Sequence, residues 1–368
     1  MHGLSYREEL NQIPPYRPAK SMEEIQRELG LSEILKLSGN ENCLGASPLA
    51  ERAVREASDQ LYRYADSTCM LLRSKLSTLL GLQEEQLIFG NGSFELLSLI
   101  AQAFLEPGKE SLIPEPTFGW YRIATWAAGG SISSVPLTRY AIDLSEVSAT
   151  ISENTRIIWL CNPNNPTGTI FGDSAFRSFM TKVPEETLVV LDEAYYEYVN
   201  DATYPQTTDY LQLYPNLIIL RTFSKIYGLA AMRIGYGIAH PEIISLLNRI
   251  RLPINVNGLA QIAAAAALDD HDFTAAVLAN NKQEQAFYYD WFDRMKLPYL
   301  QTQTNFIMVN VQADSSTVVA AALRQGISIR AGAEFGMPSW LRITIGTPEQ
   351  NRRVVEILHT ILFSVEQR

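Results

Sequence analysis

Disulfide chemistry has little to work with in this sequence. It holds three cysteines, Cys43, Cys69 and Cys161, with no CxxC spacing. So sparse and odd a count fits a reducing compartment better than a cross-linked framework, and a cytoplasmic setting is expected. Histidine is scarce too. The four residues at positions 2, 240, 271 and 359 are scattered and show no metal-ligand spacing, so no metal is expected. The opening stretch "MHGLSYREELNQIPPYRPAK" lacks the apolar core of a secretory signal. No apolar run approaches a membrane span. The longest tract, "IAAAAAL" at 262–268, suits a tightly packed helix. Positive charge is in deficit, 30 Lys and Arg against 40 Asp and Glu, for a net charge of −10. That balance argues against general binding of nucleic acid or an anionic membrane. It leaves room for a local basic pocket that takes a phosphate or a carboxylate.

Length and apolar content are plentiful. A chain of 368 residues, 46% apolar and 19% charged, is globular and too long for one ordinary core. Strand-like runs alternate with helical patterns through its middle. "QLIFG" (86–90) precedes a helical "FELLSLIAQAFL" (94–105), "ESLIPEP" precedes "FGWYRIATWAAGG", and "GSISSVPL" follows. "TRIIWLC" (155–161), "TLVVLDEA" (187–194) and "NLIILRTFS" (216–224) are continuous apolar runs, as strands covered on both faces should be. Helices between strands imply right-handed crossovers and a mainly parallel sheet, an α/β fold. Past residue 270 a long helix, "TAAVLANNKQEQAFYYDWFDRM", leads into alternating strands and a final helix. The expected division is an N-terminal arm (1–37) packing on the smaller unit, a large α/β domain (38–270) and a smaller α+β domain (271–368).

In open α/β sheets a ligand sits beyond the carboxyl ends of the strands. Polar clusters follow the strands here: "GNGSFE", "EPTFGWY", "NPNNPTG", "DEAYYEY" and "TFSK". "GNGS" joins a strand to a helix, either as a plain turn capped by Ser93 or as a phosphate cradle made of free N–H groups. "NPNNPTG" is either a turn-rich loop or a stiffened mount for one amide, for which Asn165 is the better placed. Asp192 closes a buried strand, where a carboxylate needs a partner: a structural base, or a cationic ring nitrogen. Tyr195 could present its phenol to the same ligand. Lys225 lies in "TFSKIYGLAAMR", a run of otherwise apolar character. A desolvated lysine favours its neutral, nucleophilic form, which condenses with an aldehyde. Thr222 and Ser224 supply hydroxyls beside it, and Arg233 a fixed charge suited to phosphate. Aldehyde, phosphate and basic ring nitrogen together describe pyridoxal 5′-phosphate (PLP).

With "NPNNPTG", "DEAYYEY", "TFSKIYGLAAMRIGY" and "LRITIGT" in this order, the sequence resembles the fold-type I, PLP-dependent aminotransferases. "LSGNENCLGASP" and "RYAD" make it most similar, within them, to the histidinol-phosphate aminotransferases. The resemblance covers nearly the whole chain. It implies the PLP-dependent transferase fold, with a mainly parallel seven-stranded sheet in the large domain. It makes Lys225 the Schiff-base lysine and the acid or base of the proton shift, and Asp192 the partner of the pyridine nitrogen. Asn165 and Tyr195 would bond the 3′-oxygen, and Phe118 would stack on the ring. Ser93, the backbone of Phe94 and Glu95, Thr222, Ser224 and Arg233 would hold the phosphate. Tyr64 would reach the phosphate of a neighbouring subunit, which requires a homodimer. Tyr16, Asn42, Arg330 and Arg342 would meet the substrate. The implied reaction is transfer of an amino group from L-histidinol phosphate to 2-oxoglutarate. An aromatic or other amino-acid aminotransferase, and a PLP-dependent phospho-amino-acid decarboxylase, are the alternatives. The sequence departs from the family's usual residues at Phe94 (commonly Asp), Phe118 (commonly Tyr), Cys43 and Ala65 (commonly Pro), and in "AGAEFGMPSW" after Arg330.

Overall fold

The structure, a computed structural model, describes residues 7–15 and 20–363. A short strand β1 (Leu35–Lys36) precedes the main sheet, whose strands are β2 (Leu87–Gly90), β3 (Glu110–Glu115), β4 (Ser131–Pro136), β5 (Thr155–Cys161), β6 (Leu188–Asp192), β7 (Leu217–Thr222) and β8 (Gly235–Ala239). Among the described residues this sheet has seven strands in the order β2-β8-β7-β6-β5-β3-β4. The fold is α/β and mainly parallel, since only β8 runs antiparallel to its neighbours. Helices Ser93–Phe104, Trp120–Ala127, Leu144–Thr150 and Asp173–Met180 make the crossovers between successive strands from β2 to β6.

The apolar runs explain why these strands lie inside. Successive residues of β7 point to opposite faces, and both faces are covered: Leu217 and Ile219 join one core cluster, Ile218 and Leu220 the other. Strand β8 carries no strand signal in the sequence. Its "GYGIA" is too rich in glycine to read as a core strand, yet the glycines are what let it fit. A Cβ on Gly235 would lie 2.7 Å from the backbone nitrogen of Ser93, and one on Gly237 would lie 3.0 Å from a methyl of Ile88.

Because β8 sits antiparallel between β2 and β7, β2 runs parallel to β7. The carboxyl ends of β2 to β7 therefore share one edge, and the amino end of β8 joins them, with Gly235 opposite both Gly90 and Thr222. All the polar clusters read from the sequence arrive at this edge.

A second sheet follows the long helix His271–Met295. Its strands are β9 (Tyr299–Leu300), β10 (Phe306–Asn310), β12 (Arg330–Ala331) and β13 (Trp340–Thr344), antiparallel in the order β12-β13-β10-β9. Strand β11 (Ile327–Ser328) pairs instead with β1, in parallel. Tyr288, Phe292, Ile307 and Ile343 lie in the core cluster under this sheet, and Leu37 reaches into it from the N-terminal side. The β1–β11 pairing thus anchors the segment that continues into Ser38–Asn42 and crosses to the main sheet's polar edge. Among the described residues no helix is long and apolar enough to cross a membrane.

Candidate active site

The cup at the end of β2 is built from backbone. Gly92 has φ +74°, and a Cβ there would fall on the Arg233 guanidinium. Only glycine admits both the turn and the close approach. The helix that starts at Ser93 has no side-chain cap, so its first N–H groups stay free beside Arg233. Arg233, itself at φ +56°, donates from Nη1 to the Ala230 carbonyl (2.9 Å) and to Ser224 Oγ (3.5 Å). Thr222 Oγ1 donates to Ser224 Oγ at 3.0 Å. The Glu95 carboxylate turns away, accepting from Asn91 N (2.5 Å) and Asn255 Nδ2 (2.8 Å), so only its backbone serves the cup. Phe94 is 40% exposed and packs its ring on Phe118 and Trp120, with centroids 5.2 Å away in each case.

Asp192 ends β6 and is buried. It accepts from the Tyr121 hydroxyl (2.8 Å) and the Ala194 N–H (3.1 Å). Burial pushes the carboxyl up to about 6, although these hydrogen bonds oppose the rise. Tyr121 was missed from the sequence. It lies within "EPTFGWY", but its role depends on a contact across 71 positions. The neighbouring residues bolt the strand ends together. Glu193 and Arg221 form a buried ion pair at 2.9 Å, completed by Tyr204, Thr207 and the ring of Tyr196.

Lys225 follows β7. Its Nζ donates to the carbonyls of Asn40 (3.1 Å) and Gly39 (3.4 Å) and lies 5.5 Å from the centre of the Tyr195 ring. Burial, helped by Arg342 and Arg233, brings the ammonium down to about 8, while Glu41 and Asp192 pull the other way. Tyr195 is buried and accepts from Asn40 Nδ2 at 2.9 Å. In the proline loop, Asn162 bonds to the backbone of Phe171, and Asn164 bonds to Thr117, Thr167 and Pro116. Asn165 instead receives Arg342 Nη1 on its side-chain oxygen at 2.6 Å.

Arg342 comes from β13 and is buried. Its Nη2 donates to the Ser38 carbonyl (2.9 Å), its guanidinium lies near the rings of Phe306 and Phe335, and its Nε is buried with no partner. An orphaned donor on a buried cation marks a place for an anion. Burial brings Arg342 down to about 10. Arg330 is its register partner across β12 and β13, hence on the same sheet face, but is more exposed and already paired with Glu334 at 2.7 Å. Asn42 supports the lysine loop, donating to the Ile226 carbonyl (2.8 Å) and accepting from Leu44 N (3.0 Å). Tyr64 is 92% exposed. Tyr16 lies outside the described residues.

The sequence profile of the family described as aminotransferase class I and II matches residues 32–358, which takes in every candidate site residue except Tyr16. The chain belongs to that family. Among curated relatives, the aminotransferase is 47% identical over 349 residues to the histidinol-phosphate aminotransferase of Brevibacillus brevis, covering 95% of this chain and 96% of that one. It is 45% identical over 357 residues to that of Moorella thermoacetica, covering 97% and 92%. Among solved structures, it resembles the histidinol-phosphate aminotransferase of Sinorhizobium meliloti in complex with pyridoxal-5′-phosphate, at TM-score 0.91 and 27% identity over 99% of both chains.

The residues present suit the cofactor expected from the sequence. The Gly92–Ser93 turn and Arg233 offer free donors to a phosphate. Asp192 offers a buried acid to a ring nitrogen, and Lys225 an amine shifted towards neutrality.

Proposed function

We propose that this chain is a PLP-dependent aminotransferase that passes the amino group of L-histidinol phosphate to 2-oxoglutarate, giving imidazole-acetol phosphate and L-glutamate in histidine biosynthesis. The observation that carries the chemistry is the pairing of Lys225, with its amine lowered to about 8, and the buried acid Asp192 at adjacent strand ends. Near full-length identity to enzymes of that name supports the substrate.

When bound, PLP supplies an electron-accepting ring. Lys225 holds the cofactor, then moves the proton at the substrate carbon that bears the amine. Asp192 would hold the ring nitrogen in its protonated form. Asn165 and Tyr195 would hold the ring oxygen by hydrogen bonds, and Phe118 would give the ring an apolar neighbour. Ser93, the backbone of Phe94 and Glu95, Thr222, Ser224 and Arg233 hold the phosphate. Arg342 and Arg330 take the substrate's anionic group, the phosphate of one amine or the carboxylate of the other, and the resemblance assigns Asn42 and Tyr16 to the substrate as well. Asn165 orients Arg342 for that task through the 2.6 Å bond.

The working unit in this reading is a homodimer. Leu61, Tyr62, Tyr64, Met70, Leu71 and Leu252 are all more than half exposed on the single chain. An apolar surface of that kind suits an interface, and Tyr64 would cross it to the partner's phosphate. A cytoplasmic setting suits the three free cysteines. A second reading, an aromatic amino-acid aminotransferase, is favoured by the Phe94–Phe118–Trp120 cluster beside the cup.

A single-turnover screen of PLP-loaded protein tests the proposal. L-histidinol phosphate and L-glutamate should each discharge the cofactor's visible band. Discharge by L-phenylalanine, with histidinol phosphate inert, would move the function to aromatic amino acids. Release of CO₂ would move it to decarboxylation.

A further inference from the structure

Asn40 touches both groups that the proposed reaction asks most of. The residue is buried and sits at φ +55°, a left-handed conformation that asparagine tolerates better than most side chains. Its backbone N–H donates to Thr344 Oγ1 at 2.9 Å, and its side-chain oxygen accepts from that hydroxyl at 3.2 Å. Its carbonyl accepts from Lys225 Nζ and from Asn305 Nδ2, both at 3.1 Å. Its Nδ2 donates to the Tyr195 phenol oxygen at 2.9 Å.

The last bond has a directional consequence. A phenol has a single proton to give. When its oxygen accepts from an amide, that proton is left for a different acceptor. Burial also pushes the phenol's ionisation upward, so Tyr195 stays a donor. We infer that Asn40 is a positioning residue: its amide aims the Tyr195 proton at the ring oxygen of bound PLP, while its carbonyl fixes Lys225 Nζ at the same site. Thr344 and Asn305 hold Asn40 in turn, so the small antiparallel sheet sets a hydrogen-bond direction inside the main one. The inference rests on the PLP reading above.

The same two groups are also faced by Arg342 on β13, Arg233 before β8, Asp192 on β6, Glu41 in the segment after β1 and Cys161 on β5. A test must separate Asn40 from their charges. Asn40→Asp keeps the size, the acceptor for Thr344 and the tolerance of positive φ, but replaces the donor with an acceptor. The Tyr195 proton then turns to the new carboxylate and leaves the cofactor oxygen. The readout is the pH midpoint of the visible absorbance of lysine-bound PLP. It should rise by about one unit, roughly tenfold in the protonation equilibrium. In a Tyr195→Phe background the same substitution should move the midpoint by much less, because the phenol that transmits the effect is gone. An equal shift in both backgrounds would mean the new charge acts alone and would overturn the inference, as would an unshifted midpoint in the single variant. Should Asn40→Asp not fold, Thr344→Val offers the second route. It frees the Asn40 amide and should raise the midpoint in the same direction, and no shift there overturns the inference too. Wild-type protein that forms no Lys225-dependent band would overturn the functional reading itself. A normal band with an Asn40-independent midpoint overturns only this inference.

Discussion

Replacing Asp192 with asparagine should stabilise the cofactor-free protein while weakening its grip on PLP. The carboxyl is raised from 3.8 to about 6 by burial, so the folded chain binds its proton more tightly than the unfolded chain. The sign follows. Below pH 4 both states are protonated and the site costs little. Between pH 4 and 6 only the folded state keeps the proton, and stability falls as pH rises. Above pH 6 the folded state carries the full penalty of a buried carboxylate. The shift corresponds to about 0.5 kcal/mol at pH 4 and about 3 kcal/mol at pH 8. Asparagine has no such charge. It can still accept from Tyr121 but gives up part of the Ala194 contact, a loss of about 1 kcal/mol that does not vary with pH. Urea denaturation of wild-type and Asp192→Asn apoprotein at pH 4, 5, 6 and 8 isolates the difference, since every other group titrates in both. The stability gap should move in the variant's favour by about 2.5 kcal/mol across that range. A gap independent of pH would refute the reasoning. It would mean that the Tyr121 and Ala194 hydrogen bonds already keep the carboxylate charged at no cost.

Attachment of PLP to apoprotein, trapped by borohydride and read by intact mass, should rise with pH to a midpoint near 8, because about a quarter of Lys225 is neutral at pH 7.5 against ~0.1% of an ordinary lysine. Lys225→Arg should trap nothing. Gly92→Ala puts a methyl on the Arg233 guanidinium at a positive φ, and should weaken PLP binding by roughly tenfold or more while costing about 1–2 kcal/mol of stability. A PLP titration together with a thermal melt checks both effects. Glu334→Gln releases Arg330 from its ion pair, and should lower KM for a phosphorylated amine several-fold with kcat nearly unchanged, an effect that fades in high salt.

The inner strands were legible because burial on both faces leaves a sequence mark that nothing else makes: β5 spans Thr155–Cys161, the same residues as the run "TRIIWLC". Strand β8 left no such mark. Its fit depends on missing side chains, and the reason they must be missing sits on Ile88 and Ser93, far away in sequence. The β1–β11 pairing is equally silent, two residues against two across almost 300 positions. The candidate site divides along the same line. Lys225, Asp192 and Asn165 could be named because each lies at or just beyond a strand end, in a polar cluster that interrupts apolar chain, and Arg233 because it is a fixed charge in the otherwise apolar run that follows Lys225. Tyr121 and Asn40 could not, because their significance lies in a partner 71 or 155 residues distant. Asn42 carries a contact of the same silent kind, since its amide holds the backbone of the lysine loop more than 180 positions away.

That division bears on how an acidic chain assembles a pocket for anions. Arg342 and Arg233 both press on Lys225, and Arg330 in turn presses on Arg342. A guanidinium does not surrender its proton in a protein, whereas a buried ammonium does so readily. Mutual repulsion among these cations is therefore relieved at Lys225, and the arginines that would receive phosphate and carboxylate also drive the lysine towards its nucleophilic form. An anion bound at Arg342 would cancel part of that pressure, so Lys225 would hold a proton more tightly with the anion in place than without it. In the proposed reaction the same lysine would then be a nucleophile before the anion binds and a proton carrier afterwards, because its protonation would follow the charge of the ligand beside it.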